Sequence, residues 1–113
     1  MEDCIFCKII RKEIPADIVY EDDDILAFRD IHPVAPIHIL IIPKKHIPDL
    51  ASAQEEDILV LGKIQLMSAK LAEQEGIVET GYRLINNCRK DGGQVVYHIH
   101  YHLAGGRQMC ALG

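Results

Sequence analysis

Apolar and polar positions divide the chain into segments of different period. Apolar residues within 4–13 lie among charges at helical spacing, and Pro15 closes this short predicted helix. The segments DIVYED and DILAFRD predict the two strands of a hairpin, with Asp22 and Asp23 at the turn between them. The strongly apolar run IHILIIP, which ends at Pro43, predicts a central strand.

The longest predicted helix begins at Ser52, because Ser52 and Glu55 have the spacing of a capping box. Gly76 suits a left-handed cap at the other end, which gives a helix of about 23 residues. GYRLINN and VVYHIHYHLAG predict two further strands, joined by the glycine-containing turn CRKDGG. We therefore expect a single α+β domain over 1–113, in which one long helix and a short amino-terminal helix accompany about five mostly antiparallel strands.

The composition is that of a globular domain and excludes several classes of protein. Hydrophobic residues make up 49% of the chain and charged residues 26%. The formal charge of -5 argues against nucleic acid as the main partner. The amino terminus lacks the apolar core of a signal peptide, and no run of about 20 apolar residues would span a membrane. We expect a cytoplasmic protein whose four cysteines are thiols or metal ligands, not disulfides.

The segment HIHYHLAGG places histidines on alternate positions, at His98, His100 and His102. In a strand these side chains share one face, while Ile99 and Tyr101 point to the other. Neutral imidazole is both a common zinc ligand and a capable nucleophile or proton carrier. The triple alone leaves three interpretations open: a nucleophilic site, a catalytic zinc bound by imidazoles, or a polar and solvated strand face.

HIHYHLAGG resembles the signature of the histidine triad (HIT) family, and the glycine pair followed by RQM resembles its Hint branch, the purine nucleoside phosphoramidases. KIIRKEIPADIVYEDDDILAFRDIHPVAPIHILIIPKKHI and GYRLINNCRKDGGQ resemble Hint segments in the same order, so the resemblance covers nearly the whole chain. It implies a HIT-like fold and hydrolysis of purine nucleoside 5'-phosphoramidates or acyl-adenylates, with no organic cofactor. A histidine at position 102, where the transferase branch has glutamine, favours hydrolysis over transfer.

The resemblance gives each active-site histidine a role. It implies that His100 attacks the α-phosphorus and forms a covalent nucleotidyl-histidine, which water then hydrolyses. The attacking nitrogen must be unprotonated, so the other ring nitrogen needs a fixed acceptor, which the resemblance places at the His98 carbonyl. His102 and His38 are implied to donate hydrogen bonds to the non-bridging phosphate oxygens.

The resemblance also implies a set of nucleotide-binding residues, namely Asp30, Ile31, Asn87, Gly93, Gln94 and Val95 together with His100 and His102. A carboxylate such as Asp30 can accept hydrogen bonds from both ribose hydroxyls, and Ile31 offers an apolar surface for the base. Gly92 and Gly93 let backbone amides come close to a phosphate, although DGG taken alone is simply a turn.

Two positions depart from the Hint pattern. Val95 stands where Hint-like proteins usually carry a serine or threonine that hydrogen-bonds the departing nitrogen. Because valine has no donor or acceptor, Gln94 or His102 would have to orient the leaving amine, and we expect weaker phosphoramidate turnover. The carboxyl end, CALG, stands where eukaryotic Hint proteins typically have a longer aromatic-bearing tail, which leaves the substrate side-chain preference open.

Cys4 and Cys7 form a C-x-x-C motif, which suits two thiolates on one tetrahedral metal, a redox dithiol or two buried thiols. The start DCIFCKII resembles bacterial histidine triad proteins, which complete a zinc site with the histidine of PKKH and the first histidine of the triad. These positions are His46 and His98 here. Four protein ligands leave no position for water, so the resemblance implies a structural zinc.

The resemblance implies a homodimer that acts on adenosine 5'-monophosphoramidate or related nucleotide conjugates, with the long helix and a sheet edge pairing across a two-fold axis. Apolar residues within 58–71 are compatible with this expectation. One rival is a metal-dependent hydrolase whose His98, His100 and His102 hold a catalytic zinc. The other is a nucleotide-binding interaction module with little catalysis, which Val95 would permit.

Overall fold

The computed structural model describes residues 3–112, so both ends of the predicted 1–113 domain lie outside the described residues. Its helices and strands are α1 (Ile5–Ile10), β1 (Ile18–Glu21), β2 (Ile25–Arg29), β3 (Ile37–Pro43), α2 (Ile58–Gln74), β4 (Tyr82–Asn86) and β5 (Tyr101–Gly105). The strands form one five-stranded sheet in the order β1-β2-β3-β5-β4, and every neighbouring pair is antiparallel. The predicted α+β architecture is confirmed.

Alternation along the central strand gives the sheet two packed faces. Ile39 lies in one core cluster with Ile64 of α2. Leu40, the next residue, points the other way and packs in a second cluster with Phe6 of α1. Because His102 is paired directly with Leu40 across β3 and β5, its side chain lies on the same face as Leu40. The histidines therefore occupy the face that α1 covers, opposite the long helix.

The predicted start of the long helix at Ser52 is wrong. Asp49 accepts a hydrogen bond from the Ser52 amide at 2.8 Å and begins a separate 3-10 turn. The capping box instead joins Gln54 and Asp57, whose carboxylate accepts from the Gln54 amide at 2.9 Å. A carboxylate is a stronger acceptor than a serine hydroxyl, so the two aspartates take over the capping. The other end agrees with the prediction, since Gly76 has a φ of 74° just after the helix.

The histidine strand is shorter than VVYHIHYHLAG predicts, because only Tyr101–Gly105 pairs in the sheet. The register of β3 with β5 would place Pro43 opposite Ile99, and proline has no N–H to donate to a strand ladder. The Ile99 amide donates instead to the Ile47 carbonyl at 2.7 Å, in the segment that follows β3. Residues 98–100 therefore lie beyond the end of the sheet, where the Ile47 carbonyl and several side chains hold the backbone.

The amino-terminal helix α1 is also shorter than the predicted 4–13. Its N-cap is Cys4, whose Sγ accepts from the Cys7 amide at 3.3 Å. A helix this short has little stability of its own, so its position depends on side-chain contacts with the sheet. Among the helices of residues 3–112, none combines the length and the apolar character needed to cross a membrane.

Candidate active site

His100 is buried, and its ring has one fixed orientation. It is 7% exposed, and its ring meets that of Phe6 edge-on at a centroid distance of 5.1 Å. Its Nδ1 lies 2.8 Å from the His98 carbonyl oxygen. Because a carbonyl can only accept, Nδ1 carries the hydrogen and Nε2 keeps its lone pair in the neutral ring. Burial lowers the pKa of His100, which favours this neutral and nucleophilic form at neutral pH.

His102 and His38 lie next to this ring. The centroids of the His100 and His102 rings are 5.1 Å apart, and His38 Nε2 is 3.0 Å from His102 Nδ1. A carboxylate oxygen of Asp30 lies 3.5 Å from the same His38 nitrogen. Burial, the largest cause, and the neighbouring His100 and His38 together lower the pKa of His102 to about 4. The fold thus brings together the predicted catalytic histidines and the predicted ribose ligand.

Asp30 and Ile31 follow directly after β2, at the edge of this histidine cluster. One Asp30 oxygen accepts from the His32 amide at 2.8 Å, which fixes the carboxylate in a turn, while the other faces His38. Ile31 is 85% exposed, so its apolar side chain is available to a ligand. Asn87, another predicted nucleotide ligand, is half-buried just after β4. A carboxylate and an apolar surface therefore border the histidines.

The glycine pair of the loop after β4 is required by the loop itself. A Cβ on Gly92 would lie 2.5 Å from the Cys88 carbonyl oxygen, so only glycine fits there. Gly93 has a φ of 86°, and its amide donates to the Lys90 carbonyl at 3.0 Å. The approach of these amides to a phosphate stays a prediction.

Gln94 is buried, and its side-chain amide is occupied by the backbone. It donates to the carbonyls of Pro48 at 2.7 Å and Val96 at 3.0 Å, and its oxygen accepts from the Arg89 amide at 2.7 Å. Val95, the next residue, is 86% exposed and has no polar atom in its side chain. Neither side chain offers a free hydrogen-bond donor to a leaving group.

Two sulfur and two nitrogen atoms converge beside His100, from Cys4, Cys7, His46 and His98. All four ligand atoms lie within 4.8 Å of one another. The Sγ to Nδ1 distances are 3.4 Å for Cys4 and His98, 3.3 Å for Cys7 and His46, and 3.6 Å for Cys7 and His98. A tetrahedral zinc with bonds of about 2.3 Å to sulfur and about 2.0 Å to nitrogen would separate such atoms by about 3.5 Å.

The hydrogen bonding of His98 prepares it for a metal. Its Nε2 lies 2.8 Å from the Pro43 carbonyl and must donate, so the Nδ1 lone pair faces the thiols. Burial lowers the pKa of His98 to about 4, which keeps the ring neutral. Burial raises the pKa of Cys7, and Cys4 raises it further, so thiolates at this position need a nearby cation. The donor set therefore fits a bound metal ion.

Sequence reasoning missed two residues that hold His100. Phe6 packs edge-on against the rings of His98 and His100 and against Phe28. Asn86 donates from Nδ2 to the His100 carbonyl at 3.0 Å. Asn86 carries no local signal, since it is simply the last residue of a strand. The C-x-x-C motif could have indicated Phe6, because a metal held by both cysteines brings the residues between them to His98.

The triad histidines do not converge on one metal ion. His98 Nδ1 faces the thiols, whereas His100 Nδ1 is bonded to a backbone carbonyl. Within residues 3–112, the ligand atoms of His98, His100 and His102 do not form a group that could share an ion. The interpretation as a solvated strand face also fails, because His98 and His100 are buried.

The sequence matches a known family model over most of its length, from residue 11 to residue 109, and that model describes the HIT domain. The chain belongs to the HIT domain family. This HIT domain is 58% identical over 108 residues to the purine nucleoside phosphoramidase of Escherichia coli (strain K12). The match covers 96% of the chain and 91% of that relative.

Solved structures share the fold of this HIT domain. A HIT family hydrolase from Legionella pneumophila Philadelphia 1 is 56% identical and superimposes with a TM-score of 0.94, over 96% of each chain. A histidine triad protein from Clostridium difficile is 46% identical, with a TM-score of 0.95 over 100% of this chain and 98% of that one. The predicted HIT-like fold is confirmed, and the protein is a HIT family hydrolase.

We predict that His102→Gln makes folding less sensitive to acid. The folded-state pKa of about 4 lies below the unfolded value of 6.5, so the unfolded chain binds the proton first as the pH falls. As the pH falls from 6.5 to about 4, the free energy of unfolding therefore decreases, and this residue contributes up to about 3 kcal/mol to the decrease. Urea unfolding at a series of pH values should show a shallower decrease in the variant. Equally steep curves would contradict a buried, neutral His102.

Proposed function

We propose that this HIT domain hydrolyses purine nucleoside 5'-phosphoramidates or acyl-adenylates through a covalent nucleotidyl-histidine on His100. The observation that carries the proposal is the 2.8 Å hydrogen bond from His100 Nδ1 to the His98 carbonyl, which leaves Nε2 as the nucleophilic atom. Similarity to the phosphoramidase of Escherichia coli supports the substrate class. Adenosine 5'-monophosphoramidate and related nucleotide conjugates are the first substrates to test.

In the first step, the Nε2 lone pair of His100 attacks the α-phosphorus, and the bond from phosphorus to the leaving nitrogen breaks, or in an acyl-adenylate the bond to the leaving carboxylate oxygen. Negative charge is spread over the non-bridging oxygens, where hydrogen-bond donors contribute most to the rate. His102, whose ring lies 5.1 Å from that of His100, is the neighbouring donor. It acts as a neutral donor, because burial keeps its pKa well below the working pH.

In the second step, water attacks the phosphorus of the nucleotidyl-histidine and the bond to Nε2 breaks. The products are the nucleoside 5'-monophosphate and the free amine or acid, and His100 regains its lone pair. The His98 carbonyl accepts from Nδ1 at 2.8 Å, so it stabilises the positive charge of the phosphorylated ring. The same bond prevents the ring from rotating between the two steps.

The nucleoside is held by the residues around the histidine cluster. Asp30 accepts hydrogen bonds from the ribose hydroxyls, and the exposed Ile31 packs against the base. Asn87 adds a polar contact from the end of β4. In the loop from Gly93 to Val95, the buried Gln94 contributes through the shape of the backbone and not through its amide.

The leaving nitrogen receives its proton from water. The Gln94 amide is already bonded to the backbone, and Val95 has no polar side-chain atom. Val95 is also exposed, so water reaches this loop. Because no side chain of the loop assists the departing amine, the P–N bond breaks with one hydrogen bond fewer than in proteins that carry a hydroxyl at this position.

We assign a structural zinc to Cys4, Cys7, His46 and His98. The Sγ to Nδ1 distances of 3.3 to 3.6 Å support a tetrahedral ion with no position left for water. Such an ion supplies charge and crosslinking and no nucleophile. It would pin α1, and with it Phe6, against the segment that carries His100.

The surface of α2 supports the proposal of a homodimer. Ile58, Leu59 and Leu66 are large apolar side chains exposed on this helix. A contiguous apolar helix surface is typical of an interaction face. In the proposed dimer, α2 and the edge strand β4 pair with their counterparts across a two-fold axis.

A second candidate function is a nucleotide-binding module with little catalysis. The observation that favours it is Val95, which leaves the departing amine without a side-chain donor. Such a module would bind purine nucleotides without forming an acid-labile label on His100.

We predict that His100→Ala loses at least about 10³-fold in kcat on a fluorogenic adenosine phosphoramidate, because the nucleophile is gone. The parent should also form an acid-labile nucleotidyl label on rapid quenching, which the variant cannot form. His32→Ala is the matched control, since His32 is an exposed histidine near the site. An alanine variant that keeps the parent rate would refute the assignment of the nucleophile, and nucleotide binding without any label would favour the binding module.

Val95→Ser should increase phosphoramidate turnover, because a hydroxyl can bond the departing nitrogen. The gain should reach about 1 to 3 kcal/mol of transition-state stabilisation, the range of one such hydrogen bond. Val95→Ala separates the loss of bulk from the gain of a hydroxyl. Steady-state kinetics in which serine and alanine behave alike would show that the hydroxyl has no role here.

The purified protein should contain one zinc ion per chain, measured by elemental analysis. Cys7→Ser should lose the ion and melt at a lower temperature, because one of the thiolate ligands is removed. Cys110→Ser is the control, since Cys110 is an exposed free thiol that does not belong to the four-residue ligand group. Full zinc occupancy in Cys7→Ser would exclude the proposed ligand set.

A further inference from the structure

His38 is a buried histidine with a partner on each ring nitrogen. It is 6% exposed. Its Nδ1 lies 3.1 Å from the backbone nitrogen of Val34, and its Nε2 lies 3.0 Å from His102 Nδ1. A backbone amide can only donate, so His38 Nδ1 is an acceptor and carries no hydrogen.

Because His38 Nδ1 accepts, the donors and acceptors of the hydrogen bonds from Val34 through His38 to His102 are all determined. A neutral His38 whose Nδ1 accepts must carry its hydrogen on Nε2, and it therefore donates to His102. His102 Nδ1 is then an acceptor, so the hydrogen of a neutral His102 is on Nε2. The free N–H of His102 points away from His38 and is available to a substrate.

We propose that His38 is a positioning residue that fixes the tautomer of His102, and that it does not carry a proton during the reaction. The proposal deepens the proposed function, because it rests on that function for the substrate oxygen that receives the His102 hydrogen. A proton shuttle would need His38 Nδ1 to be free. That nitrogen is buried and already accepts from the Val34 amide.

The loop that presents the Val34 amide is held from two sides. Pro33 and Pro36 flank it, and each proline ring fixes a backbone angle. Arg107, beyond β5, donates from Nη2 to the Val34 carbonyl at 2.8 Å. Both the N–H and the carbonyl of Val34 are thus bonded, which keeps the amide directed at His38.

Asp30 favours the same tautomer. Its carboxylate oxygen lies 3.5 Å from His38 Nε2, so a hydrogen on that nitrogen faces a negative charge. The 3.0 Å contact with His102 is the shorter of the two and takes the hydrogen. The Asp30 carboxylate therefore favours the hydrogen on His38 Nε2. None of these hydrogen bonds requires Asp30 to accept a proton.

The same hydrogen bond argues against a second metal centre. Asp30, His38 and His102 have ligand atoms within 4.8 Å of one another, which is a spacing that an ion could use. A metal on His38 Nε2 would need a lone pair there, while Nδ1 already uses its own for the Val34 amide. Both nitrogens would then lack hydrogen, which requires an imidazolate. The cluster is a hydrogen-bond chain.

The kinetic test compares His38→Gln with His38→Leu. A glutamine amide offers one acceptor and one donor on neighbouring atoms, so it can replace both bonds of His38, but it cannot titrate. We expect His38→Gln to keep kcat within about threefold, and His38→Leu to lose about 10- to 100-fold, the range for one hydrogen bond. KM should change little in both. His32→Gln is the control for replacing a histidine by glutamine, because His32 is exposed.

Equal losses of kcat in the two His38 variants would overturn the proposal, because a shuttle fails with either side chain. Nitrogen-15 NMR of the imidazole rings provides a readout that needs no turnover. In the parent and in His38→Gln, His102 should carry its hydrogen on Nε2, and in His38→Leu the two tautomers should mix. A hydrogen on His102 Nδ1 in the parent would also overturn the proposal. If the protein shows no hydrolysis at all, the NMR result still stands, so the two failures are distinguishable.

Discussion

The hydrogen bond between His100 Nδ1 and the His98 carbonyl is the contact on which the chemistry of this site depends. It decides which nitrogen of the buried ring keeps its lone pair, and in the proposed function it also stabilises the charge of the phosphorylated ring. The orientation of the His100 ring therefore depends on the position of the backbone that carries the His98 carbonyl. The rest of the structure around residues 98–100 keeps that carbonyl in position.

Three groups hold this short segment where the sheet has ended. Pro43 ends the ladder of β3, and its carbonyl accepts from His98 Nε2. The Asn86 side-chain amide donates to the His100 carbonyl, and Phe6 packs against the rings of His98 and His100. His98 has two roles here, because its backbone carbonyl fixes the His100 ring while its side chain joins the cysteine cluster. In the proposed function, the metal site and the catalytic site are therefore coupled through one residue.

Patterns that arise from neighbours in sequence predicted much of this molecule. The hairpin, the central strand, the α+β class and the cap at Gly76 follow from local periodicity and turn chemistry. The start of α2 does not follow from these patterns. In the folded chain, two aspartates are better acceptors than Ser52 and cap this region instead. The end of the histidine strand depends on the register of Pro43. The orientation of the Gln94 side chain depends on the Pro48 carbonyl, which is distant in sequence. The alternating histidines and the C-x-x-C motif are visible in the sequence itself, whereas their individual roles and the remaining candidate site residues came from the family resemblance.

The neutral tautomer of His100 is the central claim, and a neutron structure of the deuterium-exchanged protein at neutral pH tests it most directly. We expect deuterium on Nδ1, directed at the His98 carbonyl, and none on Nε2. Deuterium on Nε2, with a bare Nδ1 facing that carbonyl, would contradict it, because the nitrogen assigned to attack phosphorus would have no lone pair.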